Sequence, residues 1–244
     1  MSWLRPVRSY RQELLDTPDI SEQELVENLR DLQHLNACLG STRVMLATVQ
    51  RLWQEAGSPP EWRVLDVGTG AGDIPTALMC WSRTYHICLT MVATDVQWQV
   101  VRYARAVTTP SVSMLQADGR WLPFQARTFD VVVCSTMLHH LAWADGVALL
   151  RAMAQVARYG VVVNDLVRNW LSYYGAKLLL PLLARNRLTL HDGPLSVLRA
   201  YSPREMRDMA QTAGLHGARV VTVWKYRLLL VYSIPTERQA ICDP

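Results

Sequence analysis

The stretch Val64 to Pro75, VLDVGTGAGDIP, decides the fold. An apolar run carrying one acid, Asp66, gives way to Gly68, Gly70 and Gly72 at every second position, and Asp73 follows. Glycines between the end of a buried strand and the start of a helix let the backbone turn sharply and approach a ligand closely. Pro75 fits the first turn of that helix, where its missing N–H is no loss. Taken alone, G-x-G-x-G suits NAD enzymes, other nucleotide binders and plain tight turns alike. The dinucleotide fingerprint, however, places its third glycine three residues after the second. Here Gly72 comes two after Gly70, and the later position is Asp73. A carboxylate there would repel a pyrophosphate but suits a cationic ligand.

Outward from this stretch the chain alternates. Arg63 to Val67 reads as a strand, Ile74 to Ser82 as a helix, Ile87 to Thr94 as a strand and Trp98 to Ala106 as a helix. Val112 to Gln116 is a short strand, Phe129 to Ser135 a strongly apolar one, Trp143 to Ala157 a helix and Gly160 to Asn164 another strand. Such alternation means a parallel sheet with helices on both faces. Ser202-Pro203 starts a helix ending near Gly214. The strands Ala218 to Trp224 and Arg227 to Ser233 then join at Lys225-Tyr226, close enough for an antiparallel hairpin. The expected fold is α/β: a doubly wound, mostly parallel, seven-stranded, Rossmann-like sheet with a C-terminal antiparallel hairpin, N-terminal helices and a helical lid insertion.

The helices of that preface lie in residues 11–55. Leu25, Leu29, Leu32 and Leu35 recur at helical spacing, Ser21 and Glu24 form a capping box, and Gly40 separates a first helix from a second. Gly57 and the Ser58-Pro59-Pro60 turn divide a helical cap, residues 1–57, from the main domain, residues 58–244. The insertion is residues 165–200. Trp170, Tyr173, Tyr174 and the run Leu178 to Leu183 offer apolar walls for a ligand. Leu178, Leu179, Leu182 and Leu183, flanked by Lys177, Arg185 and Arg187, also suit a membrane surface; a lid packed on its own domain is the reading taken. Tyr10, His34 and Asn36 are expected to form the opposite wall.

Half of the 244 residues are hydrophobic, so a large core is expected. The net charge is +4, and only Lys177 and Lys225 among the 25 basic residues are lysine. The arginines are dispersed, without the basic run of a nucleic-acid arm, so nucleic acid is not expected as a partner. Cys38, Cys80, Cys88, Cys134 and Cys242 are odd in number, far apart and without a C-x-x-C pair. A reduced, cytoplasmic setting fits them, and neither a disulfide framework nor a metal site is assigned. The N-terminus has no apolar signal region, and no apolar span approaches membrane-crossing length.

Further acids follow the glycines at the expected intervals. Asp95 ends the second strand, where a carboxylate can accept both hydrogen bonds of a ribose diol. Asp118 follows the third strand in QADGRWLPF and can take an exocyclic amine. In this respect the chain resembles the class I S-adenosylmethionine-dependent methyltransferases, over about residues 60 to 165. VLDVGTGAGDIP is similar to their first motif, TDVQWQVVRYAR to the second, and ADGRWLPFQARTFDVVVCSTMLHHL to the third and fourth together. The small-molecule branch, which includes quinone and natural-product methylases, is the nearest. The resemblance implies S-adenosylmethionine as cofactor. Asp66, Gly68, Thr69, Gly70 and Gly72 would line its methionine part, with Ser135 near the amino acid end. Asp95 would hold the ribose, Val96 and Gln97 would flank sugar and adenine, and Asp118 with the Gly119 amide would read the adenine edge. As structure alone, Asp66 could equally tie the loop amides and Asp118 form a turn.

The acceptor implied is a small, apolar, aromatic or polyketide-like hydroxyl compound. A phenol, with pKa about 10, benefits from a base. His139 and His140, just past the fourth strand, are the candidates. Only one of two neighbours is expected to face the pocket fully. Asn164 and Asp165, Tyr173 and His191 are the acceptor-binding candidates. Asn164-Asp165 could instead cap the next helix, and His191-Asp192 could sit in a turn set by Gly193-Pro194. Carbon methylation, an RNA or protein acceptor, and a non-methylating protein or cyclase on the same fold are the alternatives. Oligomeric state is left open.

Overall fold

The computed structural model describes residues 5–17 and 20–235. Cys242 and the first four residues of the expected N-terminal cap lie outside them. Eight α-helices and seven strands are formed among the described residues. They run α1 (Glu22–Cys38), α2 (Ser41–Glu55), β1 (Glu61–Val67), α3 (Asp73–Thr84), β2 (Cys88–Asp95), α4 (Trp98–Val107), β3 (Val112–Gln116), β4 (Phe129–Ser135), α5 (Trp143–Val156), β5 (Ala157–Leu166), α6 (Trp170–Leu183), α7 (Arg187–Arg199), α8 (Pro203–Thr212), β6 (Arg219–Val223) and β7 (Arg227–Ser233). One sheet holds all seven strands in the order β3-β2-β1-β4-β5-β7-β6. The first five are mutually parallel; β7 runs antiparallel to β5, and β6 to β7. The expected sheet is therefore the one formed.

The central strands are apolar at consecutive positions because both faces are covered. In β1, Leu65 and Val67 join Val132, Cys134, Val161 and Val163 in a core under α5 and α8. Val64 on the same strand points the other way, with Val131, Val133 and Val162, into a core closed by α2 and α3. Asp66, central in β1, is buried on that second side among them. It lies level with Ala93 on β2 and Val133 on β4.

Local chemistry fixes the helix ends. Ser21 and Glu24 form a reciprocal capping box, as do Ser202 and Glu205. The hairpin differs from expectation by one residue. Val223 pairs with Arg227, so the turn spans Trp224, Lys225 and Tyr226, the first two with positive φ. The expected turn at Gly193-Pro194 is also absent, because both residues lie inside α7. A Cβ on Gly193 would come within 2.1 Å of the Leu180 side chain, so glycine there lets α6 and α7 pack closely.

Candidate functional site

The loop from Gly68 to Gly72 wraps the C-terminal end of β1. Gly68, Gly70 and Gly72 all have positive φ, which suits glycine. Gly68 and Thr69 donate their amides to the Thr94 carbonyl, each at 2.9 Å. Asp95 Oδ2 accepts from the Gly70 amide at 3.2 Å and Oδ1 from the Gln97 amide at 3.1 Å. Loop and second-strand acid are thereby locked together, with carboxylate lone pairs to spare. A Cβ on Gly70 would meet nothing within 4 Å, so the backbone there faces open space.

Asp66 sits beneath this loop. It is 1% exposed, and neither carboxylate oxygen has a hydrogen-bond partner. Burial pushes its pKa up to about 7, and the fields of Asp73 and Asp95 add to the rise. The adjacent Thr69 hydroxyl opposes it but makes no well-formed hydrogen bond. Burial likewise raises Asp73, against a 2.9 Å hydrogen bond from Thr42 of α2. A fully buried acid with both oxygens unsatisfied is a receptor for a cation or a donor group. The ammonium and sulfonium of S-adenosylmethionine fit that donor set, beside a glycine cradle and the Asp95 carboxylate.

From the loop a cavity of about 410 Å³ runs across the tips of β1 and β4 and beneath α6. Asp66, Gly68, Thr69 and Gly70 line one end, with Ser135, Thr136, His139 and His140 beside them. The far walls are apolar: Leu32, Leu35 and Leu39 from the N-terminal helices, and Leu171, Leu179, Leu180 and Leu183 from α6. Of the expected N-terminal wall residues, Asn36 lines the cavity, whereas Tyr10 and His34 are exposed. The aromatic wall is not formed either. Trp170 and Tyr174 stack on each other at the surface. With Leu178 and Leu182 they make an exposed outer stripe on α6, so that helix packs on its own domain with one face only.

Both histidines border the cavity, and their rings lie 4.3 Å apart. Their surroundings separate them. His139 is buried, and its Nδ1 lies 2.6 Å from Asp165 Oδ1 while its backbone amide donates to Asp165 Oδ2 at 2.9 Å. Asp165 is itself buried; burial opposes its charge, but His139 and the Leu166 amide hold its pKa below the usual range. For His140, burial favours the neutral form, yet the hydrogen bond to Asp16 and the field of Glu13 raise its pKa overall. The acids around His140 favour its charged form, which makes it the poorer base, whereas His139 is held by Asp165 through Nδ1 and leaves Nε2 outside that contact.

Glu13, His139 and His140 also bring three potential metal-ligand atoms within 4.8 Å of one another. Arg199 Nε, 3.4 Å from Glu13, counts against a cation there. Arg199 further donates to the carbonyls of Arg11 and His140, and Arg8 to that of Leu141. These arginines strap the N-terminal segment over the histidine turn.

Other expected residues are placed differently. Asn164 is fully buried, donating to Ser41 Oγ at 2.7 Å and Ser135 Oγ at 3.2 Å, and Asp165 is taken up by His139. Neither lines the cavity or caps the next helix; Asn169 caps α6. Tyr173 and His191 border a separate surface groove with Lys177 and Pro194. His191 pairs with Asp192, whose two oxygens also accept the amides of Leu14 and Leu15 at 2.9 Å each. Asp192 thus anchors the N-terminal segment. Asp118 is held by the Arg120 guanidinium, which also bonds Asp145, and its pKa is lowered by that pair. Gly119 packs so closely that a Cβ would come within 2.7 Å of Val67 and 2.8 Å of Leu149. Val96 is exposed, and Gln97 precedes α4. Sequence reasoning missed Glu13, Asn28, Ser196 and Arg227, all of which line the cavity.

Residues 64–160 match the model of a family described as Methyltransferase domain. That match spans 97 of the 244 residues. Protein-L-isoaspartate O-methyltransferase of Klebsiella pneumoniae is 34% identical over 86 residues, which are 35% of this chain and 40% of that protein. The chain thus matches well under half the length of these curated relatives. Among solved structures, an S-adenosylmethionine-dependent methyltransferase from Aquifex aeolicus is 19% identical with a TM-score of 0.56, over 89% of this chain and 100% of that one. Human N-acetylserotonin methyltransferase, in complex with S-adenosylmethionine, is 15% identical with a TM-score of 0.63, over 88% and 57%. Magnesium protoporphyrin IX methyltransferase from Synechocystis, with S-adenosylhomocysteine bound, is 16% identical with a TM-score of 0.53, over 81% and 84%. The fold is that of S-adenosylmethionine-dependent methyltransferases. No helix among the described residues is long and apolar enough to cross a membrane.

Proposed function

We propose that the chain transfers a methyl group from S-adenosylmethionine to a hydroxyl of a small, largely apolar acceptor, with His139 as general base. The observation that carries this reading is the buried contact of His139 with Asp165, 2.6 Å long, whose histidine borders an apolar cavity that also opens onto the glycine loop. When bound, S-adenosylmethionine supplies a methyl group already activated on a positive sulphur. The chain's residues are left to bind, align and remove a proton. Asp66 receives the cationic end in its ionised form. Asp95, steadied by Gly70 and Gln97, has acceptor capacity left for a ribose diol.

His139 Nδ1–H donates to Asp165, which fixes the tautomer and stabilises the imidazolium that forms as Nε2 takes the hydroxyl proton. A positioned base of this kind contributes roughly 10²- to 10⁴-fold. Alignment of the reacting groups contributes roughly 7–11 kcal/mol. The helices α6 and α7 act as a lid and the N-terminal helices as a cap. Their leucines keep water from the reacting groups and favour an apolar acceptor.

The isoaspartate relatives raise a protein acceptor as the alternative, but the leucine-walled cavity favours a small molecule. Incubation with methyl-labelled S-adenosylmethionine, a panel of phenols and, separately, protein and RNA separates these. Label in a small product whose formation is lost in His139→Ala supports the reading. Label in protein or RNA alone, or equal turnover in His139→Ala, overturns it.

A further inference from the structure

Arg227, the first residue of β7, is 2% exposed and lines the cavity. Its Nε and Nη1 are buried without any hydrogen-bond partner, and no acid lies within ion-pair distance among the described residues. Burial works against its charge; Asp165 and Asp73 favour the charge through their fields but do not touch it. Leaving a guanidinium dry and unpaired is costly. Its neighbours Tyr226 and Leu166 also line the cavity. The molecule otherwise pairs its buried arginines. Arg168, similarly buried, meets both oxygens of Glu205 and two backbone carbonyls, and Arg199 contacts Glu13.

We propose that Arg227 binds a carboxylate brought into the cavity by the ligand. The Nη1–Nη2 edge of a planar guanidinium, its Nη1 here without a partner, matches the two oxygens of that group. Placement favours the acceptor as its source. Residue 227 pairs with Leu166, next to Asp165, which holds His139. Its strand lies three positions along the sheet from β1, roughly 14 Å from the strand that carries the glycine loop. The acceptor is then an aromatic or aliphatic acid whose apolar body lies among the leucines of α1 and α6 and whose hydroxyl faces His139. This assignment deepens the function proposed above and rests on it. The α-carboxylate of S-adenosylmethionine is the other source of the same chemistry.

The test uses the full chain and the variants Arg227→Met and Arg227→Lys. Calorimetry with S-adenosylhomocysteine measures the donor arm. For the acceptor arm, a panel of aromatic and straight-chain hydroxy acids, each beside its primary amide, is titrated onto protein saturated with S-adenosylhomocysteine. The expected result is a preference for acid over amide of roughly 10- to 100-fold, the worth of charged hydrogen bonds. That preference should vanish in Arg227→Met, persist in part in Arg227→Lys, and leave S-adenosylhomocysteine affinity unchanged. Loss confined to S-adenosylhomocysteine would keep the carboxylate site and assign it to the donor. The proposal is overturned if neither arm distinguishes wild type from Arg227→Met, including the case in which no acid binds. Thermal unfolding of the free proteins guards against a folding artefact. An arginine awaiting a ligand predicts Arg227→Met at least as stable as wild type, whereas a structural arginine predicts a clear loss. Because binding is read without turnover, acid recognition without methylated product would refute the catalytic reading alone. Methylation that is indifferent to acid or amide, in wild type and Arg227→Met alike, together with equal S-adenosylhomocysteine affinity in the two proteins, would refute this one alone.

Discussion

If Asp66 is an acid kept waiting for a cation, the free protein must carry the strain of that arrangement in a pH-dependent way. Its folded pKa is about 7 against 3.8 for a free aspartate side chain, raised chiefly by burial. Between those values the folded state binds a proton that the unfolded state has released. Stability therefore falls as pH rises through this window and levels off above about pH 7. From pH 5 to pH 7, where the carboxyl is half ionised, the fall is roughly 2 kcal/mol. For a chain of this size that corresponds to roughly 4–8 °C in melting temperature. Asp66→Asn keeps the shape and removes the titration. Thermal unfolding of both proteins across pH 5 to 8 should show wild type losing that increment relative to the variant. Binding closes the argument. At pH 6 roughly 0.9 of the Asp66 carboxyl is protonated, by the same pKa. A cationic ligand that requires the ionised form must expel that proton. Calorimetry with S-adenosylmethionine in buffers of different ionisation enthalpy should detect its release in wild type and not in Asp66→Asn. Parallel pH curves for the two proteins, together with a binding heat independent of buffer, would refute the assignment of Asp66 as the cation receptor.

The other expectations concern the base, the loop and the lid. His139→Ala should lower kcat by roughly 10²- to 10⁴-fold while calorimetric affinity for S-adenosylhomocysteine stays within twofold. Asp165→Asn should lower kcat in steady-state assays, since it removes the carboxylate that holds the His139 ring through Nδ1. Gly68→Ala places a Cβ 2.9 Å from Met137 at a φ of +72°, so a loss of about 1–3 kcal/mol in denaturant unfolding is expected, with weakened donor binding. Gly193→Ala drives a Cβ into Leu180 and should cost about 1–3 kcal/mol by overpacking, raising acceptor KM while leaving S-adenosylhomocysteine affinity intact.

What could be read from the sequence was local. Asp66, the three glycines and Asp95 each declare themselves by position relative to a strand end, and the sheet places the loop and Asp95 in direct hydrogen-bond contact. The histidines were found by the same rule, one strand further on. Their difference was not, because it depends on Asp165, 26 residues away, and on Glu13 and Asp16, more than 120 residues away. Gly193-Pro194 misled for a related reason. Both residues signal a turn locally, but close packing of α7 against α6 keeps them helical. Arg227 gave the weakest signal, one arginine among many at the start of an apolar strand, where a charge ordinarily marks an exposed edge. Topology reverses that expectation. Ligands of open α/β sheets meet the carboxyl ends of the parallel strands. A strand returning antiparallel brings its amino end to that same edge. Once the C-terminal hairpin is recognised, the first residue of β7 therefore belongs with the tips of β4 and β5, and a cation there faces the ligand cavity.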